Sequence, residues 1–295
     1  MPPPPSQNQI DELVFSVVRI ECETPNGVRC GTGFFFAFLL EDGKRSPCLV
    51  TSRHVVEGAT HGRFYLPLKD EQGGIQRKQD LEFKVPHFEE RCHPHPDPSV
   101  DLVVFFVGAM LQAMKNQGHQ FHITYLSRRS LLTPDEIANL SILESVVLVG
   151  YPIGLWDRRN SQPVLRRGIT ATHPALPYNG APEFLVDGPC AAGMGGAPIF
   201  VRREPADEEP AFANSGVGLA GPVPTHSRRM ALLGILCAGQ HWDVDGMPIR
   251  EDIATSPHAD QAAMARQNQV QLGYALNTSK LLDFELIVRA MIRGQ

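Results

Sequence analysis

The sequence has no hydrophobic run near the roughly 20 residues of a membrane-crossing helix. Its longest purely apolar stretch, residues 34–40, has the length of a buried strand. No run of Lys or Arg exceeds two and the formal net charge is -5, which excludes the basic footprint of a nucleic-acid binder or a polybasic membrane patch. Residues 1–5 form a proline run without the basic and apolar regions of a secretory signal, so a cytoplasmic location is expected. The cysteines (Cys22, Cys30, Cys48, Cys92, Cys190 and Cys237) are scattered without a CxxC pair; they are read as free thiols packed as small hydrophobes, not as a disulfide framework.

A phosphate-cradling glycine loop followed by Lys and Ser/Thr is missing, as is a dinucleotide fingerprint, so no cofactor is expected. His87, Cys92, His93, His95 and Asp97 are metal-ligand types, but the prolines among them and their irregular spacing match no zinc pattern. Asp243-Val244-Asp245-Gly246 lacks the rest of a calcium loop and reads as a turn. No metal site is expected. What remains as a partner is a protein or peptide.

What is present is a series of short β-branched and aromatic runs, at 14–20, 34–39, 48–51, 102–107, 146–149, 199–201 and 232–237, separated by Gly, Pro, Asn and Asp clusters. That rhythm predicts a mostly β fold, sandwich or barrel. The end differs: Asn277, Thr278 and Ser279 offer cap oxygens before Leu282, Leu286, Ile287, Ala290 and Met291 at helical spacing, which predicts a closing helix. The strand rhythm lapses between Leu111 and Asp135, so the join between two halves, 9–120 and 121–295, is placed there. Segments 202–229 and 240–269 look like inserted surface loops, the second ending in a helix-like 260–269.

Three motif pieces carry chemistry, in this order: Thr51-Ser52-Arg53-His54-Val55-Val56 after a strand, Ser99-Val100-Asp101-Leu102-Val103-Val104 opening one, and Gly193-Met194-Gly195-Gly196-Ala197-Pro198. A histidine at a strand end or an aspartate before one means little alone. With Gly31-Thr32-Gly33-Phe34, Gly150-Tyr151-Pro152-Ile153-Gly154, Arg167-Gly168-Ile169, Leu233-Gly234-Ile235 and Leu272-Gly273-Tyr274-Ala275 in sequence, the set resembles the trypsin-like (chymotrypsin-fold) serine peptidases, intracellular and bacterial members especially. The resemblance covers roughly residues 14–282.

The resemblance implies an all-β fold of two six-stranded antiparallel barrels with a C-terminal helix, the first barrel carrying His54 and Asp101, the second the loop at 193–198. It implies that His54 takes the nucleophile's proton, that Asp101 holds the imidazole tautomer, and that the N–H groups of Gly193 and Gly195 donate to the oxyanion. It places substrate-pocket walls at Asp187, Pro189, Cys190, Ala192, Cys237, Ala238, Gly239 and Gly273. The acid expected for basic P1 side chains falls on Pro189, with Asp187 nearby, so a small or medium apolar P1 is expected. No amino-terminal activation segment of the secreted members is found, so control by a partner protein or by the 202–229 loop is expected instead.

The departure is Gly195, which stands where the family has its nucleophilic serine. Met194 and Gly196 supply no nucleophile either, and loss of the serine costs about 10^6 in kcat, roughly 8 kcal/mol. Two readings stay open: an endopeptidase for one intracellular protein in which serine has been replaced, or a natural pseudo-protease that binds peptide or protein without turnover. A purely structural protein or a small-molecule carrier has little in its favour.

Overall fold

The computed structural model describes residues 13–40, 43–70, 73–202, 230–242, 248–252 and 269–293. The described residues begin with a 3-10 turn over Val14–Ser16, then run through β1 (Val17–Thr24), β2 (Gly27–Leu39), β3 (Arg45–Thr51), the single turn α1 (Arg53–Val56), β4 (His61–Lys69) and β5 (Ile75–Pro86). The turn α2 (Phe88–Arg91), β6 (His93–Pro94), β7 (Val103–Phe106) and α3 (Gly108–Asn116) complete the first half. The helix α4 (Pro134–Ala138) precedes β8 (Ser145–Gly150), β9 (Val164–Thr170), β10 (Glu183–Asp187), β11 (Pro198–Arg202), β12 (Met230–Trp242), β13 (Pro248–Asp252) and β14 (Gln269–Asn277). Helices α5 (Ser279–Leu282) and α6 (Phe284–Arg293) close the described chain.

The protein is therefore mostly β, its described residues forming two seven-stranded antiparallel sheets with a C-terminal helix. The second has the order β11-β8-β9-β10-β14-β12-β13, and an extra β11–β12 ladder closes six of its strands into a barrel with β13 added outside. The first, β5-β4-β1-β2-β3-β7-β6, curls around its own core and has a seventh strand where six are expected. Among the described residues no ladder closes it. Its last strand is two residues long, since Pro94, Pro96 and Pro98 withhold the N–H groups a longer one needs.

Alternation along β2 explains how the sheets join. Side chains of successive strand residues point to opposite faces. Phe34, Phe36 and Phe38 enter a cluster with Phe200 and Leu232 of the second sheet and Phe284 and Val288 of α6. Phe35 and Ala37 face Ile20, Phe64, Phe83 and Phe105 inside the first sheet. Buried on both faces, the run reads as continuously apolar. Each such phenylalanine contributes about 2–3 kcal/mol of burial.

Several elements differ from the sequence reading. The β4–β5 hairpin falls outside the apolar runs because its outer face carries Arg63, Glu82 and Lys84, paired with one another and with Glu21 and Glu23 of β1. Segment 108–116, which runs into the lapse of strand rhythm, is a helix. Segment 240–269 is not wholly a loop: residues 240–242 continue β12 and pair with β13. Of the predicted loop 202–229 and helix-like 260–269, Arg202 ends β11 and Gln269 begins β14, and the rest lies outside the described residues. Among the described helices none is long and apolar enough to cross a membrane, and all six cysteines are free thiols.

Candidate functional site

Strand β3 ends at Thr51, and the turn α1 that follows carries His54. Asp101 sits just before β7, the neighbour of β3. One carboxylate oxygen, Oδ1, accepts the His54 backbone N–H at 3.0 Å and the other, Oδ2, accepts Nδ1–H at 2.6 Å. Both oxygens spent on one residue fix the ring's rotation and leave Nε2 as the acceptor. The ring is buried, and Nε2 has no partner among the described residues. From outside, Arg29 donates to the His54 carbonyl, and the Arg53 side chain donates to the Pro98 carbonyl at 2.8 Å. His95, buried before Asp101, packs edge-on against Phe284 with ring centroids 5.1 Å apart and so ties this segment to α6.

The glycine-rich loop enters from the second sheet. Gly193 and Gly196 have φ of 86° and 84°, left-handed values that glycine takes without steric cost. At Gly196 a Cβ would lie 2.2 Å from the Thr32 carbonyl oxygen, so no other residue fits. Gly195 is not among the positive-φ residues; its φ is one that any amino acid, serine included, adopts.

Thr32 of β2 holds the loop. Its hydroxyl donates to the Gly193 carbonyl at 2.8 Å and accepts from the Tyr151 N–H at 3.1 Å. Its own N–H donates to the Gly195 carbonyl at 2.9 Å. A third carbonyl, Ala192, accepts from the Ile153 N–H at 2.6 Å. Within the loop, the N–H groups of Met194, Gly196 and Ala197 donate to the carbonyls of Ala191, Leu236 and Met194 at 3.1, 2.8 and 2.9 Å. Those of Gly193 and Gly195 have no acceptor among the described residues. Buried N–H groups are almost always paired, so two without an acceptor in one turn are suited to an anionic oxygen.

The other candidates gather around β10, β12 and β14. Gly239 pairs with Gly273 and Ala238 with Tyr274. A Cβ on Gly273 would lie 2.3 Å from the Cys190 sulfur, so the thiol packs flat on that glycine. Asp187 ends β10 exposed, and Pro189 and Ala192 are half-buried. The Cys237 thiol turns inward, 3.6 Å from Glu183 and 3.2 Å from the Tyr274 carbonyl, so any contact it makes with a ligand is through its backbone. Burial, with the Glu183 and Asp101 carboxylates near, holds that thiol well above its ordinary range, and burial pushes Cys190 up to about 12. Neither is a thiolate at neutral pH, so neither is an activated nucleophile. His87, Cys92, His93, His95 and Asp97 do not converge: among the described residues no three His, Cys, Asp or Glu side chains could hold a metal ion.

Sequence reasoning did not single out Thr32 beyond its place in a motif, nor Ile153, nor the buried Glu183 that Arg250 grips with two bonds of 2.6 and 2.7 Å while lying 4.7 Å over the Tyr274 ring. The Gly-Thr-Gly spacing was the available signal for the first. The other two follow from backbone geometry and long-range pairing.

Fold and site together define a two-sheet β protein in which one sheet presents a histidine–aspartate pair and the other a loop with two N–H groups that lack acceptors among the described residues. In comparison with known proteins, no family model and no curated protein matches the chain. Among solved structures it is similar to an HtrA-type protease, AlgW S227A with tripeptide, at a TM-score of 0.46 and 14% identity over 95% of this chain and 62% of that one. It is also similar to the Rv3671c protease from M. tuberculosis in its active form, at 0.42 and 15% over 92% and 80% of the two chains. A third is tobacco etch virus protease with product, at 0.44 and 9% over 90% and 85%. The chain thus spans less than two thirds of the HtrA-type protease.

Proposed function

We propose that the chain is a trypsin-like serine endopeptidase whose centre lacks one hydroxyl, at Gly195, and that it binds peptide without useful turnover in this form. One observation carries the reading: the unpartnered Nε2 of a histidine locked onto Asp101, together with a loop in which, among the described residues, only the Gly193 and Gly195 N–H groups of residues 193–197 lack acceptors. With a serine at 195, Nε2 takes the hydroxyl proton as the oxygen attacks the scissile carbonyl. The two N–H groups donate to the resulting oxyanion, and His54 then passes the proton to the leaving amine. Water attacks the acyl-enzyme by the same route in reverse. Pro189 in place of an acid, and the Cys190 thiol seated on Gly273, favour a small or medium apolar P1.

The proposed substrate is one intracellular protein, with a regulatory partner as the means of control and the halves 9–120 and 121–295 as the two units of the scaffold. A second reading, a natural peptide-binding module, is favoured by Gly195 itself. The test is cleavage of a peptide library by the Gly195→Ser protein. The first reading expects cleavage after small apolar residues at a rate about 10^6 above the unaltered chain; binding of peptide with no cleavage by the serine form supports the second and contradicts the first.

A further inference from the structure

The Ala192 carbonyl is held by Ile153, a β-branched residue at φ 53° and ψ 26°. The left-handed region is a genuine outlier for such a side chain, and strain of that kind, of order 1–3 kcal/mol, persists only where the surroundings impose it. Those surroundings belong to the first sheet. Ser161, also left-handed at φ 55°, donates its hydroxyl to Asp80 of β5, with Oδ1 and Oδ2 at 2.6 and 2.7 Å. Trp156 stacks on Tyr65 of β4 with centroids 6.1 Å apart. The buried Tyr151 hydroxyl donates to the Val17 carbonyl of β1 at 3.4 Å. Between these anchors Leu155 N–H donates to the Pro152 carbonyl, and Asp157 bridges Gln162.

The consequence for the loop follows from peptide planarity. In a trans peptide the C=O and N–H point in opposite directions, and no cis bond occurs among the described residues. With its carbonyl drawn to Ile153, the 192–193 peptide must direct the Gly193 N–H the other way, toward the side on which it finds no acceptor. If that carbonyl were released, the peptide would be free to rotate and the pair of N–H groups would be lost.

We infer that Ile153 is a positioning residue for the oxyanion-binding loop, and that its conformation is imposed from the first sheet by the Asp80–Ser161 hydrogen bond and the Tyr65–Trp156 stack. The inference rests on the peptidase reading for its catalytic meaning, but its structural core does not. A contact on β4 and β5 thereby sets the state of a loop carried by the second sheet, and a partner that displaced Trp156 from Tyr65 would switch that loop off.

Two measurements separate the inference from the function it serves. In the unaltered chain, Asp80→Ala and Trp156→Ala are expected to raise hydrogen exchange about tenfold both in 151–163 and in 190–197, whereas Asp80→Asn, which still accepts from Ser161, raises neither. Circular dichroism melts confirm that each variant is folded. In the Gly195→Ser background, the same two alanine variants are expected to slow labelling by a fluorophosphonate at least tenfold, and Asp80→Asn to restore it. Faster exchange confined to 151–163, with 190–197 unaffected, overturns the inference. If the Gly195→Ser parent itself takes no label, the peptidase reading fails, and the exchange measurement still decides the positioning role.

Discussion

The two halves of the site are built differently. On the first sheet, His54 is placed by side-chain chemistry: a carboxylate from Asp101 grips both its backbone and its ring, at 3.0 and 2.6 Å. On the second, the Gly193–Gly196 turn has no side chain that does chemistry, and its shape is imposed through carbonyl oxygens held by Thr32 and Ile153. A residue without a side chain at 195 therefore leaves the turn standing. Gly195 contributes its N–H and its carbonyl to the turn, and those belong to the backbone that every residue shares.

If the second half is held by its backbone alone, Gly196→Ala has the largest effect. A methyl group 2.2 Å from the Thr32 carbonyl and 2.6 Å from the Thr51 hydroxyl oxygen cannot be accommodated, and φ of 84° is itself unfavourable for alanine. Loop displacement should cost more than about 2 kcal/mol in urea denaturation and, with serine at 195, about 10^2 or more in kcat. A full-strength enzyme would show that the turn is not held as described.

Thr32→Val comes next. The shape is kept, but the buried Gly193 carbonyl and Tyr151 N–H lose their hydroxyl partner, a loss of about 1–3 kcal/mol. On the peptidase reading, kcat of the Gly195→Ser form should fall with little change in KM, because the proposed oxyanion donors act in the transition state. A change in KM alone would move Thr32 into substrate binding instead.

The smallest effect concerns Asp80. Burial raises its pKa above the ordinary carboxylate value, against the lowering influence of the Ser161 hydrogen bond. A raised acid favours the folded state when protonated: its contribution is fully present below the unfolded pKa, about 4, and is lost as pH rises through the folded value. Thermal melts of Asp80→Asn should therefore exceed those of the parent at pH 7, with the gap closing below about pH 4. A gap independent of pH would remove the carboxylate from the explanation.

What was legible in the sequence follows the same division. His54 and Asp101 stand out because the resemblance ties those side chains, in that order, to strand ends, and the structure joins them at 2.6 Å. A buried strand was readable at 34–40, because both faces of β2 are buried over 34–38. The β4–β5 hairpin was not, because its charged outer face dilutes the apolar pattern to alternation. Thr32 and Ile153 act through a hydroxyl and a backbone N–H whose partners are distant in the chain. Nothing about an isoleucine announces a left-handed φ, since the conformation is imposed by tertiary contacts that local preference opposes.

Fluorophosphonate labelling of Gly195→Ser, alone and combined with His54→Ala, decides whether every part of an acyl-transfer site except one hydroxyl is in place. Covalent label is expected on the serine introduced at position 195, lost when His54 is removed, and absent from the unaltered chain. Absence of label on a folded Gly195→Ser protein, or label that persists without His54, would contradict this reading of the site.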